Sequence, residues 1–284
     1  MKVADTGIAL REILKNAPRP IVLVPTMGAF HAGHISLMHR AREIAGATGT
    51  VVTSIFVNPI QFDRPADLAN YPQPLTSDLA TCEAAGVDVA FTPSAGSMYF
   101  PDRSVTVTES LLSSGLCGAT RAGHFDGVCT VVLKLFLLSG CDTAIFGEKD
   151  FQQLAIIRRM VRDLDAPVEI LSCPTVRETD GLAMSSRNAR LSPAQRADAP
   201  RIRKALLESS ALHTPAEILT AARSTVEASP LTRIDYLSLV DAETLQPTHS
   251  LDRPAILATA VFYDDVRLID HVTIHRPPTY PTDA

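Results

Sequence analysis

The densest group of residues able to do chemistry is Pro25-Thr26-Met27-Gly28-Ala29-Phe30-His31-Ala32-Gly33-His34. Two imidazoles flank Ala32 and Gly33, and the small residues at 28 and 29 let a ligand approach the backbone closely. Such a loop suits a phosphate chain. When an oxygen attacks an α-phosphorus and pyrophosphate leaves in line, charge accumulates on phosphoryl oxygens, and fixed donors aimed at them lower the barrier. That chemistry needs no protein nucleophile, and no Ser or Cys with an evident base partner stands out. His-x-x-His alone fits a surface turn with a capping histidine at least as well; the strand before it, the glycines and the helix after it tip the reading toward phosphate.

Two further groups point the same way. In Gly147-Glu148-Lys149-Asp150, the glycine lets a nucleotide sugar pack closely, Lys149 supplies countercharge, and Asp150 can accept from ribose hydroxyls. The same four residues also read as the acidic start of a helix with a solvated lysine. Met184-Ser185-Ser186-Arg187-Asn188 places two hydroxyls and a guanidinium in a polar stretch that either closes over a triphosphate or is a plain turn. Gln61 and Gln153 follow strand-end loops and could orient a polar substrate. His124, in Arg121-Ala122-Gly123-His124-Phe125-Asp126-Gly127, is either a substrate contact or a helix cap.

These residues must be held by elements that hydrophobic periodicity makes visible. Ile21–Val24, Val51–Val57, Val87–Phe91, Thr143–Phe146 and Val168–Leu171 read as buried strands. Helical spacing marks Leu37, Ala41, Ile44 and Ala45, then Thr76–Ala85, Val128–Leu138, and the stripe Leu154, Ile157, Val161, Leu164. Alternating strands and helices imply an α/β fold, a doubly wound parallel sheet with ligands at the carboxyl ends of its strands. The polar loops fall at such ends, after Val24, Val57 and Phe146. Beyond about Asp180 the pattern becomes a smaller α+β unit, with helices Pro193–Ser209 and Pro215–Ala228 and strands Ile234–Val240, Ala255–Phe262 and Val266–His271. Two domains are expected, 1–178 and 179–284, with Glu178–Asn188 as a polar hinge.

Composition narrows the classes. The chain has 284 residues, 46% apolar and 20% charged, with a net charge of −5. That balance argues against a long nucleic-acid surface but leaves room for one triphosphate. The start Met1-Lys2-Val3-Ala4-Asp5 does not read as a secretory signal, and Val128–Leu138 is too short and too interrupted to span a bilayer. Five cysteines without metal spacing read as reduced, buried thiols of a cytoplasmic protein. Pro277-Pro278-Thr279-Tyr280-Pro281 reads as a frayed tail.

Taken together the motifs resemble those of the pantothenate synthetases, the AMP-forming pantoate–β-alanine ligases of the HxGH nucleotidyltransferase superfamily. The matching stretches are Pro25–His34, Phe56-Val57-Asn58-Pro59-Ile60-Gln61-Phe62, Phe146–Gln153, Pro174-Thr175-Val176-Arg177-Glu178 and Gly181–Asn188, in that order over nearly the whole chain. The resemblance implies a Rossmann-like N-terminal domain, a smaller C-terminal lid and a homodimer. It also implies a two-step reaction. Pantoate attacks the α-phosphate of MgATP, and β-alanine then displaces AMP from the pantoyl adenylate. Carried over, Met27, Gly28, Ala29, Phe30, His31, Ala32, Gly33 and His34 line the ATP phosphates, with His34 the catalytic histidine beside His31, Lys149 and Arg187. Gly147, Glu148, Lys149, Asp150, Val176, Met184, Ser185, Ser186 and Arg187 are further nucleotide contacts. Gln61 and Gln153 hold pantoate, and Gln61 also meets β-alanine. The chain departs from the usual family pattern at Tyr71-Pro72-Gln73 and Arg121-Ala122, which leaves the Mg²⁺ ligand open; Asp78 is the nearest carboxylate. Three alternatives stand beside this reading: another adenylyl or cytidylyl transferase, a fragment of an RNA-charging enzyme, and an inactive nucleotide-binding regulator.

Overall fold

Short apolar runs that alternate with amphipathic helices organise the larger part of the chain. The structure, a computed structural model, describes residues 1–275, so Pro277–Pro281 lie outside the described residues. Two units are distinguished. The first comprises Met1–Glu109 and Arg121–Val176; the second comprises Ser110–Thr120 and the chain from Arg177 onward.

In the first unit β1 (Lys2–Ala4), β2 (Ile21–Thr26), β3 (Thr50–Ile55), β4 (Val89–Phe91), β5 (Thr143–Gly147) and β6 (Glu169–Cys173) form one parallel sheet in the order β1-β4-β3-β2-β5-β6. The doubly wound sheet expected from the alternation is present. Strand β1 and the Gly7–Leu14 helix were not expected. Three residues at a sheet edge, two of them exposed, carry no periodic signal. From β2 the chain runs through the Ala32–Ala45 helix to β3 on one side, while β5 pairs on the other. The sheet therefore changes winding direction between β2 and β5. Their carboxyl ends open the crevice where doubly wound folds bind ligands.

Packing fixes the helices that frame this crevice. The Ala32–Ala45 helix turns Leu37, Met38, Ala41 and Ala45 onto Val22, Val24, Val51 and Ile145 in one buried cluster. Full burial of each large side chain there contributes about 1.5–3 kcal/mol. The Gly123-capped helix runs His124–Ser139, four residues earlier than the predicted Val128 start, and it is buried on most faces. The stretch Arg121–Gly127 is thus helical from His124 on. Gly127 permits this, because a Cβ there would lie 2.5 Å from the Ile60 carbonyl and 2.7 Å from Gln61 Cα.

The second unit is a three-stranded antiparallel sheet, β7 (Arg233–Asp241), β8 (Ala255–Tyr263) and β9 (Val266–Ile274) in the order β7-β8-β9. Ile202, Leu206, Ile218 and Val226 of its helices share a core with Leu239, Leu257, Val261 and Tyr263 of its strands. The single helix expected over Pro193–Ser209 is two, Pro193–Asp198 and Arg201–Ser210. Pro200 has no N–H to donate and its ring obstructs the preceding turn. The polar stretch expected as a hinge is bonded into this unit. Arg177 clasps Asp270 through two 2.8 Å bonds, Glu178 N–H donates to the Leu182 carbonyl at 2.8 Å, and Ser185 caps a 3₁₀ turn over Ser186–Arg190. Ser110–Thr120 is held here as well: Thr120 donates to Asp235 at 3.0 Å, and Cys117 Sγ lies 3.5 Å from the Tyr236 hydroxyl. All five cysteines are free and buried, as their spacing implied.

Candidate active site

The β2 loop takes its shape from two consecutive left-handed residues, Gly28 at φ +81° and Ala29 at φ +53°. An alanine in that region is strained by about 1–2 kcal/mol, so something must hold it. Asp78 does, accepting the Ala29 N–H at 2.8 Å and the Phe30 N–H at 3.0 Å. The Asp78 carboxylate is buried. Both oxygens of this carboxylate are thus committed to the turn. Among the described residues no group of three His, Cys, Asp or Glu side chains could hold a metal ion.

His31 is the N-cap of the Ala32–Ala45 helix. Its Nδ1 accepts the Gly33 N–H at 3.1 Å, and the His34 Nδ1 accepts the His31 N–H at 3.4 Å. With this reciprocal box, the N–H groups of residues 29, 30, 31 and 33 are engaged by the protein itself. What the loop offers instead is imidazole. A nitrogen that accepts a backbone N–H cannot carry a proton, so the single proton of each neutral ring sits on Nε2. Burial, then the neighbouring Lys149 charge, pulls His31 down to about 4. Burial, then the charges of His31 and Lys149, pulls His34 down to about 3. Both rings are neutral near pH 7, with centroids 4.1 Å apart, and act as oriented N–H donors.

Gly147–Asp150 comes to the same histidines from β5, across the change in winding. Lys149 and Asp150 are the charges that act on both rings, and the Lys149 ammonium stands 3.7 Å from an Asp150 oxygen. Asp150 occupies the N-cap position of the Phe151–Asp163 helix but makes no side-chain cap bond there. A Cβ placed on Gly147 would meet no atom within 4 Å, so the space before that glycine is open to a ligand. Glu148 turns away and accepts from Ser172 at 2.9 Å. Val176 lies against the histidine loop, 3.9 Å from where a Cβ on Gly33 would be. Gln153 is half-buried in the first turn of the Phe151–Asp163 helix. Met184, Ser185, Ser186 and Arg187 belong to the second unit, where Ser185 accepts the Arg187 N–H at 3.2 Å.

Gln61 is buried, and its neighbours determine which way its amide points. Gly127 offers only a carbonyl, so the Asn58 atom 3.1 Å from it must be Nδ2; Asn58 Oδ1 is left to accept the Tyr99 hydroxyl at 2.8 Å. The same Nδ2 lies 2.9 Å from the Gln61 carboxamide, which makes that atom Oε1. Gln61 Nε2 is then turned toward Met27, 3.1 Å from its sulfur. The residue presents a donor beside the β2 loop, as binding a carboxylate oxygen requires. A cavity of about 500 Å³ is lined by Met27 together with Ile55, Phe56, Leu68, Asp78 and Thr92. The histidines and Gln61 do not line it, so it meets the β2 loop through Met27 alone.

His124 is neither cap nor free contact. It is the first residue of its helix, buried, with Nδ1 2.8 Å from the Gln61 carbonyl and Nε2 2.9 Å from Arg121 Nη1. Burial, then the Arg121 charge, pulls it down to about 4. Sequence reasoning missed the supporting parts played by Asn58, Tyr99 and Asp78. Asn58 lay within a quoted stretch, but the partners of Tyr99 and Asp78 are 41 and 48–49 residues away in the chain, and no local spacing encodes that.

Comparison with known proteins identifies the family. Residues 2–273 match the family model described as pantoate-beta-alanine ligase. The chain is 54% identical to a pantothenate synthetase of Akkermansia muciniphila over 96% of its own length and all of that protein. It is 50% identical to the pantothenate synthetase of Desulfovibrio desulfuricans over 90% of its length and 92% of that protein. The crystal structure of pantothenate synthetase from Thermus thermophilus superposes with a TM-score of 0.89 at 42% identity, covering 97% of this chain and 100% of that one. That of pantoate-beta-alanine ligase from Francisella tularensis, complexed with β-γ ATP and β-alanine, does so at 0.81 and 32%, covering 98% and 100%. A family match along almost the whole chain, with relatives half identical to it, means that this chain belongs to the pantoate–β-alanine ligases, the pantothenate synthetases.

Proposed function

We propose that the chain condenses pantoate with β-alanine using ATP, giving pantothenate, AMP and pyrophosphate through a pantoyl adenylate. The observation that carries the reading is the pairing of two neutral, Nε2-protonated histidines with a Gln61 amide that presents N–H beside the same loop. In the first step a pantoate carboxylate oxygen bonds to the α-phosphorus and the bond to pyrophosphate breaks. His31 and His34 donate to the phosphoryl oxygens that gain charge, and Lys149 adds a cation. In the second step the β-alanine amine bonds to the acyl carbon, AMP leaves with the former carboxylate oxygen, and the amine loses its proton. Gln61 and Gln153 hold the acid, with Gln61 also reaching the amine substrate. Glu148 is the weakest of the nucleotide contacts, because its carboxylate is engaged by Ser172.

Met184, Ser185, Ser186 and Arg187 complete the nucleotide contacts in this reading, their hydroxyls and guanidinium serving the phosphates. Mg²⁺ would arrive with the triphosphate and be held mainly by phosphate and water, supplying countercharge there. The protein is a homodimer of the cytoplasm and uses no nucleic acid or membrane. Free, buried cysteines support that compartment, and the exposed Phe100 and Val105 side chains give a second copy an apolar surface to cover. Among the described residues no helix is long and apolar enough to cross a membrane.

The test is AMP release from MgATP with each acid and amine added or withheld. Release that needs both pantoate and β-alanine, with pantoate-dependent ATP–pyrophosphate exchange when β-alanine is absent, is expected. Exchange driven by a different acid, with none from pantoate, would overturn the substrate assignment.

A further inference from the structure

Gln61 is gripped by its main chain as well as by its side chain. Its carbonyl lies 2.8 Å from His124 Nδ1 and 3.4 Å from Arg121 Nη2. A guanidinium has donors only, so the His124 nitrogen 2.9 Å from Arg121 Nη1 is the bare one. The ring proton therefore sits on Nδ1 and is donated to the Gln61 carbonyl. Arg121 in turn donates from Nε to Asp63 Oδ1 at 3.0 Å. The grip thus closes on the C-terminal end of the Pro59–Gln61 turn, on the carbonyl of residue 61 and the carboxylate of residue 63. Gly127, one turn further along the His124 helix, removes the side chain that would push the Gln61 backbone away. None of this serves to start the helix, whose N-cap is Gly123 with no side-chain cap bond.

We propose that His124, oriented by Arg121, is a positioning residue for Gln61: its Nδ1–H fixes the main chain that sets where the Gln61 carboxamide stands beside Met27. The proposal deepens the assignment of Gln61 to the acid substrate and rests on it. His124 touches neither ATP nor acid in this scheme, and its whole effect passes through Gln61.

Side-chain geometry separates the two ring nitrogens. An asparagine amide reaches the position of Nδ1, whereas a glutamine amide reaches that of Nε2. His124→Asn is expected to keep the pantoate KM near the wild-type value. His124→Gln and His124→Leu should raise it about tenfold, as loss of one buried hydrogen bond does, at unchanged KM for ATP. In a Gln61→Ala background the three substitutions should become equivalent. Asn and Gln variants that behave alike, a parallel rise in both KM values, or an effect that persists without the Gln61 side chain would overturn the proposal. Wild-type protein that releases no AMP with pantoate and β-alanine would instead remove the functional reading. The clasp is then judged by the imidazole ¹⁵N shifts of His124: a protonated Nδ1 with a bare Nε2 is expected, and the opposite tautomer overturns it whatever the substrate.

Discussion

At the scale of single residues, the site is an exercise in fixing which atom of an ambiguous side chain faces the ligand. Two backbone N–H groups decide the tautomers of His31 and His34, and one backbone carbonyl decides the direction of two amides in series, Asn58 and then Gln61. Asn58→Asp tests the second chain of logic. A carboxylate has no N–H to give Gln61, so the Gln61 amide should rotate, donate to residue 58 and present its oxygen to the acid substrate. We expect the KM for pantoate to rise tenfold or more, roughly the effect of leaving a buried acceptor facing an anion, while the KM for ATP stays within about twofold. Tyr99→Phe should do far less, because Gly127 still dictates the Asn58 orientation. Steady-state kinetics on the two variants decides the matter. A pantoate KM untouched in Asn58→Asp would refute the assigned amide direction.

At the scale of elements, the phosphate loop joins a central strand to a helix and stores strain at Ala29 that a third element relieves. Asp78, in the first turn of the Leu75–Ala84 helix, supplies that relief through two N–H bonds. Asp78→Ala should destabilise the fold by about 2 kcal/mol through the stranded N–H groups. Ala29→Gly should stabilise it by up to about 1 kcal/mol by removing the left-handed penalty, net of glycine's entropy cost. Urea unfolding of both variants measures the two signs, and a destabilised Ala29→Gly would show the turn to be unstrained. This element also marks how far the sequence could be read. Strand-loop-helix, the glycines and the histidines were legible because their signals are local: apolar runs, small residues and fixed spacing. The Asp78 clasp was not, since residue 78 was visible only as the nearest carboxylate and its partners lie 48 and 49 residues away in the chain. The break at Pro200 was overlooked for a different reason: apolar periodicity continues across it and masked the proline's missing donor.

At the scale of the whole molecule, three desolvated histidines, His124 buried and His31 and His34 half-buried, tie stability to pH. His31, His34 and His124 sit near 4, 3 and 4 in the fold, while each takes up protons near 6.5 when unfolded. Between these limits the unfolded chain binds more protons, so stability rises with pH across the window and falls as pH drops from about 6.5 toward 4. Ligand-free protein should therefore lose thermal stability well above the carboxylate range. A melting temperature flat from pH 7 to 5 would contradict the neutral-imidazole site. The path of the chain between its two units has a consequence of another kind. Because Ser110–Thr120 is built into the second unit while the residues on either side belong to the first, the chain passes between units at 109/110, at 120/121 and again at 176/177. Neither unit is a contiguous cassette. A gene crossover at residue 176 would separate Cys117 and Thr120 from Tyr236 and Asp235, so recombination between diverged relatives would mismatch the second unit's own core contacts. The two units are bound to diversify together, as a single heritable block.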